Sequence, residues 1–213
     1  MLGHSHAMRV VEIFTSIQGE GANCGLLVTF VRLAGCNLAC SYCDTDFHTG
    51  TDYSLEALTE RLVRERGEGG PRRIIWTGGE PTLQLTEEIV RHFSDLGYWQ
   101  AIETNGTRTP PRGLDYITVS PKVSVGTLLK NFRNIAIGEI RYPVGAETIV
   151  PNIEELPPAD HYILSPIFLP AEEDRGTDRN LISRTNLSHC LCLMRQDPRW
   201  RLSVQLHKLL QLP

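Results

Sequence analysis

Short runs of β-branched and aromatic residues alternate with amphipathic segments along most of the chain, and that beat restricts the fold more than any other feature. The run LLVTFVRLA (26–34) is apolar and β-branched, as a strand should be. Residues 54–66 then read as a helix, with Ser54 as its N-cap and Leu55, Leu58 and Leu62 on one face. A short buried strand is expected at 72–77, and a helix at 86–97 that Thr86 can cap and Gly97 stops. Further strands are expected at 98–104, 115–120, 134–142 and 161–167, a last helix at about 178–195, and a final strand at 200–206. Apolar strands alternating with helices predict a mostly parallel sheet with covered faces. About six strands are too few for a full eight-stranded barrel, so the expected architecture is α/β, a partial (open) TIM-like barrel with outer helices.

The unusual residues fall in one place on that scaffold. GCNLAC (35–40), TGGEP (77–81), ETNG (103–106), SPK (120–122), SPI (165–167) and QLHK (205–208) each lie at or just past the C-terminal end of an expected strand. In barrels and open α/β sheets that end is the active-site rim, which favours an enzyme over a binding scaffold. The 213 residues suit one domain. With 21 basic against 25 acidic residues and a net charge of −4, the chain gives little support to a broad nucleic-acid or membrane surface. No apolar run approaches the roughly 20 residues needed to cross a bilayer. The start, MLGHSHA, reads as a cloning remnant with Met8 as the natural first residue, leaving 8–213 as a single catalytic domain. Six cysteines in an untargeted chain point to the cytoplasm, where thiols stay reduced and clusters of them serve metal or redox chemistry.

Cys36, Cys40 and Cys43 form such a cluster, at spacing C-x3-C-x2-C. A structural zinc site would need a fourth ligand; His48 is the only nearby candidate, and no second knuckle follows. Cys24, Cys190 and Cys192 show no matching spacing. The other reading is an iron–sulfur cluster, for which thiolates are suitable soft donors. Three thiolates on a four-iron cluster leave one iron open to another ligand, and an open corner is a place for chemistry.

This spacing is similar to the signature of the radical S-adenosylmethionine (SAM) superfamily, and TGGEP resembles its glycine-rich motif. The resemblance extends over nearly the whole chain. EIFTSIQGEG (12–21), FVRLAGCNLACSYCDTDF (30–47), IETNGT (102–107), TVSPK (118–122) and WRLSVQLHK (200–208) resemble the 7-carboxy-7-deazaguanine synthase family, in its order. It implies conversion of 6-carboxy-5,6,7,8-tetrahydropterin to 7-carboxy-7-deazaguanine with loss of ammonia, on the route to queuosine and other deazapurines. The implied cofactors are a [4Fe–4S] cluster, S-adenosylmethionine and Mg²⁺; the implied partners are a flavodoxin- or ferredoxin-like reductant and a second copy in a homodimer.

The resemblance also assigns residues. Cys36, Cys40 and Cys43 would hold the cluster, and Thr45 the magnesium. Tyr42, Cys43, Asp44, Gly79, Glu103, Ser120, Pro121, Lys122, Ser165, Pro166, Ile167 and Phe168 would contact S-adenosylmethionine, Glu103 facing its ribose. SPIF departs from the glutamine-proline-isoleucine form of the family. Ile17, Gln18, Gly19, Glu20, Arg32, Thr77, His207 at the end of the last strand, and the terminal Pro213 would contact the substrate, with Arg32 clamping its carboxylate. No side chain is assigned as acid or base. A glycyl-radical activating enzyme shares the cysteine spacing and short length, but would act on a protein.

Overall fold

The computed structural model describes residues 7–43, 45–168 and 183–212. Its strands form one sheet in the order β3-β1-β2-β4-β5-β6-β7-β8-β9. β2 (Leu27–Leu33), β4 (Arg73–Gly78), β5 (Trp99–Thr104), β6 (Tyr116–Val119), β7 (Ile137–Val144), β8 (Ala159–Pro166) and β9 (Trp200–Leu202) pair in parallel. The chain thus has the open, mostly parallel sheet that its pattern implies. Two antiparallel strands not anticipated from the sequence, β1 (Met8–Ile17) and β3 (Thr51–Tyr53), extend one margin.

The helices are α1 (Leu55–Arg66), α2 (Glu87–Asp95), α3 (Val125–Asn131), α4 (Arg184–Gln196) and α5 (Leu206–Leu210). The expected caps are present: Ser54 accepts from the Ala57 N–H and Thr86 from the Ile89 N–H. Gly97, at φ +77°, ends α2 in the left-handed region that a side chain would disfavour. Leu58 and Leu62 of α1 and Ile89, Val90 and Phe93 of α2 are buried against Ile74, Trp76 and Ile102 of the sheet. Each fully buried side chain of this size stabilises by about 1.5–3 kcal/mol relative to exposure. The amide of Gln100 accepts from Trp76 Nε1 and donates to the Val90 carbonyl and Ser94 Oγ, so this buried polar group is satisfied.

Two expectations change. The last strand stops at Leu202, and residues 206–210 form α5, so His207 lies on a short helix instead of a strand end. Ser203 still donates to the Leu164 carbonyl, but the Leu206 N–H turns away to the Gly19 carbonyl. The last helix begins at Arg184; the earlier part of its expected range lies mostly outside the described residues.

Alternation fixes what the other sheet face carries. Val28, Ile75 and Ala101 form a small apolar cluster there. Towards the C-terminal ends of the parallel strands the same face presents Arg32, Thr77, Glu103, Arg141 and Ser165. Register places Arg32 beside Thr77, and Trp76 beside Ile102, which brings Thr77 next to Glu103.

The segment 18–22 reaches this face from another direction. β1 runs against β2, so Ile17 ends beside Leu27, at the end of β2 opposite the cysteine loop. From there the segment crosses to the far strands: Gly21 N–H donates to Ser203 Oγ, Ala22 N–H to Glu139, and Glu20 meets Arg141. It therefore straps the two sides of the open barrel together. Gly21, at φ +71°, passes so close to the Glu139 carboxylate that a Cβ would overlap it.

Candidate active site

The cysteine loop leaves β2 at Leu33 and is closed at its base by the Gly35 N–H donating to the Phe47 carbonyl. Gly79 N–H donates to the Leu33 carbonyl and Glu80 N–H to that of Gly35, pinning the loop to the turn after β4. Both glycines of that turn are sterically required: a Cβ on Gly78 would strike the Leu33 backbone, and one on Gly79 the Gly35 carbonyl. An ammonium group only donates, so the backbone of this turn can meet one through its carbonyl oxygens and not through its N–H groups. Glu80 is fully buried and accepts from Thr82, Thr104 and the Asn105 N–H, so it fastens this turn to the one after β5. Asn105 in turn donates to Asn37, which donates to Thr107.

Cys36, Cys40 and Cys43 border one cavity of about 270 Å³. No three His, Cys, Asp or Glu side chains among the described residues converge as ligands of a single ion. His48 is not among the residues bordering this cavity, so the geometry disfavours the zinc alternative. Three thiols bordering one hollow are the donor set that an iron–sulfur cluster with one open corner requires. Tyr42, Gly79, Ser120, Lys122, Ser165, Pro166, Ile167 and Phe168 border the same space. Lys122 Nζ donates to Ser120 Oγ at 2.8 Å and lies 5.6 Å from the Tyr42 ring centroid. Burial pushes the Lys122 amine down to about 8 and the Tyr42 phenol up to about 12, the latter helped by Cys40 and Cys43.

A second cavity, also of about 270 Å³, is bordered by Phe14, Ile17, Gln18, Gly19, Phe30, Arg32 and His207. Glu20, Thr45, Thr77, Glu103, Gln205 and Lys208 border both cavities and so form their common wall. Arg32 ion-pairs with Glu12, lies over the Phe14 ring and reaches Thr45 Oγ1 at 3.4 Å. Phe14 stacks on Phe30 with centroids 5.0 Å apart. His207 packs against Gly19, where a Cβ would meet its ring.

An ionic cluster underlies the common wall. Arg141, with 7% of its side chain exposed, approaches Glu103 at 2.9 Å, Glu139 at 3.2 Å and Glu20 at 3.3 Å. Glu103 also accepts from Gln18 at 3.1 Å and Thr77 at 3.0 Å. Burial would raise the Glu103 carboxyl; the Arg141 charge and these hydrogen bonds outweigh it and hold the group below the usual carboxylate range.

Of the residues singled out from the sequence, Pro121 borders neither cavity, and Asp44 and Pro213 lie outside the described residues; the others come together here. Glu103 borders both cavities rather than the cysteine side alone. Asp46 accepts from the His48 N–H, a loop-shaping contact. Arg141, Gln205, Lys208, Phe14 and Phe30 were missed. For Arg141 a signal was present: in IGEIRYPV, Glu139 and Arg141 stand two apart on an otherwise largely apolar strand, which puts two charges on one face.

The family model of the radical SAM superfamily matches residues 30–156. Curated 7-carboxy-7-deazaguanine synthases are similar over nearly the full length. That of Bacteroides thetaiotaomicron is 34% identical, covering 96% of this chain and 98% of its own. That of Neisseria meningitidis serogroup B is 37% identical, with 94% and 92% covered. The crystal structure of QueE from Escherichia coli shares the fold at TM-score 0.68 and 22% identity, covering 94% of this chain and 95% of that one. The chain therefore belongs to the 7-carboxy-7-deazaguanine synthase family of the radical SAM superfamily.

Proposed function

We propose that this chain carries out the reaction its family is named for, converting 6-carboxy-5,6,7,8-tetrahydropterin to 7-carboxy-7-deazaguanine with loss of ammonia, in queuosine or other deazapurine biosynthesis. The observation that carries this reading is the common wall: a cavity bordered by three cysteines adjoins one containing an arginine and several hydrogen-bond acceptors. Cys36, Cys40 and Cys43 would hold a [4Fe–4S] cluster, which together with S-adenosylmethionine would supply radical chemistry here.

The chain's own residues position and exclude. Tyr42, Cys43 and Asp44, the Gly79 turn, Ser120 to Lys122 and Ser165 to Phe168 cradle S-adenosylmethionine, with Lys122 a cation for its carboxylate. Arg32, its Nε held by Glu12 and one Nη1 hydrogen turned to Thr45, offers its other N–H groups to the substrate carboxylate. Thr45 sits within reach of that guanidinium and offers one hard oxygen to Mg²⁺, whose other ligands would be the substrate and water. Ile17 to Glu20, Thr77 and His207, with Pro213, surround the pterin. Thr77 spends its proton on Glu103 and therefore meets a ligand as an acceptor.

We take residues 8–213 as one catalytic domain acting in the cytoplasm as a homodimer. No described helix is long and apolar enough to cross a membrane. Exposure of Cys43 and Tyr42 leaves the cysteine loop open to a flavodoxin- or ferredoxin-like donor. The test is anaerobic turnover of the reconstituted protein with carboxypterin substrate, reductant, S-adenosylmethionine and Mg²⁺. A brown protein with about four irons per chain that forms the deazapurine is expected. A fully loaded protein that makes none would refute the assignment.

A further inference from the structure

We propose that Arg141 is a positioning residue for substrate recognition: it holds Glu20 and Glu103 as paired, acceptor-only carboxylates in the wall between the two cavities, where they read an N–H-rich heterocycle edge. This rests on the function proposed above and deepens it.

The hydrogen-bond arithmetic of the wall points this way. Glu103 Oε1 receives both Arg141 Nη2 and Gln18 Nε2, which fills its two lone pairs. Oε2 receives Thr77 Oγ1 and keeps one lone pair, on a side chain 23% exposed. The Gln18 carbonyl oxygen is occupied by the Glu20 N–H. Glu20 Oε1 takes Ser165 Oγ, and its Oε2 faces Arg141. Glu20, Thr77 and Glu103 therefore present acceptors where a ligand would arrive, and the donors of the wall, Gln205 and Lys208, come from the C-terminal segment. An aminopyrimidinone edge, with its ring N–H and exocyclic amine, is the complement of such a surface. A protonated Glu103 would place a donor there and spoil the match.

Ionisation of Glu103 depends on groups from several elements. Arg141 and Glu139 come from β7, Glu20 and Gln18 from the strap, and Thr77 from β4. Arg32, His207 and Lys208 border the second cavity, and Lys122 the first. Among these, Arg141 makes the closest ion pair with Glu103, and its charge is the leading influence that opposes burial. Tyr116 donates to Glu139, which steadies the third carboxylate around the same guanidinium. Without Arg141, burial would dominate and Glu103 would protonate at a higher pH.

The test uses unreduced holoenzyme with S-adenosylmethionine, so that no turnover occurs, and fluorescent 6-carboxypterin as the probe. Its dissociation constant is measured from about pH 5.5 to 7.5, always as a ratio to wild type, which cancels titration of the probe. For Arg141→Met the ratio should grow about tenfold towards acid, as expected if the Glu103 pKa rises into this range. Arg141→Lys, which keeps the charge but not the fork, should show a smaller acid effect. In a Glu103→Gln background the acid effect added by Arg141→Met should shrink to the share of Glu20, and with Glu20→Gln as well it should vanish. If Arg141→Met does not fold, the lysine variant decides, with an acid-growing ratio of at least about threefold expected. A flat ratio in the folded variants, or an acid effect undiminished when both Glu20 and Glu103 are glutamine, would overturn the role of Arg141. Failure of the wild-type protein to bind the probe at any pH would overturn the pterin reading, and this role with it.

Discussion

Glu80→Gln tests how the glycine-rich turn is held. The wild-type carboxylate has no solvent exposure and receives two backbone N–H groups, one on each oxygen: Thr82 at 3.0 Å on Oε1 and Asn105 at 2.7 Å on Oε2. The hydroxyls of Thr82 and Thr104 also donate to Oε1, at 2.7 and 2.8 Å. A glutamine fits the same space but has only one oxygen. Whichever way its amide is turned, its NH₂ faces a backbone N–H, and one buried donor loses its partner. A buried group left unsatisfied costs about 1–3 kcal/mol, and bonds to a charged acceptor are worth about 1.5–3 kcal/mol, so the expected loss is about 2–4 kcal/mol. For a chain of this length each kcal/mol lowers Tm by about 2–4 °C, giving a fall of roughly 5–15 °C. Anaerobic thermal unfolding of the holoenzyme by circular dichroism would measure it. A Tm within about 2 °C of wild type would show that Glu80 is not the fastening described, and an unchanged Tm with lost S-adenosylmethionine affinity would make it a ligand contact instead.

Gly79→Ala should drive a methyl group into the Gly35 carbonyl, at the root of the cysteine loop. Overpacking of this kind costs about 1–3 kcal/mol, and iron bound per chain after reconstitution should fall several-fold; full iron loading would contradict the close approach. Because Glu103 is held below its ordinary pKa, its contribution to stability is present above the unfolded-state value and is lost as pH falls through the folded one. The Tm gap between wild type and Glu103→Gln should stay level from about pH 8 to 5 and shrink below about pH 4.3. A gap already closing between about pH 8 and 6 would mean that Arg141 does not dominate its environment.

The parallel strands were legible because burial on both sheet faces demands continuous β-branched runs, as in RRIIWT and LLVTFVRLA. The two ends of the chain were harder. EIFTSI does alternate, but pairing along the margin of the sheet is decided by partners remote in sequence, and β1 finds its partner in β2. WRLSVQL reads as a strand throughout, yet only its first three residues pair with β8; residues 203–205 are irregular, and Leu206, whose N–H donates to the Gly19 carbonyl, opens α5. At the site, the cysteines and glycines could be read directly, since their spacing or steric demand is local. Arg141 could not, because its meaning lies in carboxylates contributed by the strap and by two strands.

The strap itself has a thermodynamic consequence. Among the described residues no continuous ladder of strand hydrogen bonds closes the barrel there; its sides meet through contacts such as Gly21 to Ser203, Gly19 to Leu206 and Glu20 to Arg141. Two of the residues that make this junction, Gly19 and Glu20, also border the second cavity. Any ligand that binds only the joined form adds RT ln(1 + [L]/Kd) to the free energy of joining, about 2.7 kcal/mol at a hundredfold excess over Kd. Occupancy and closure are then a single linked equilibrium, and protection of the Gly21 and Leu206 amides from hydrogen exchange should rise with ligand concentration along that logarithm.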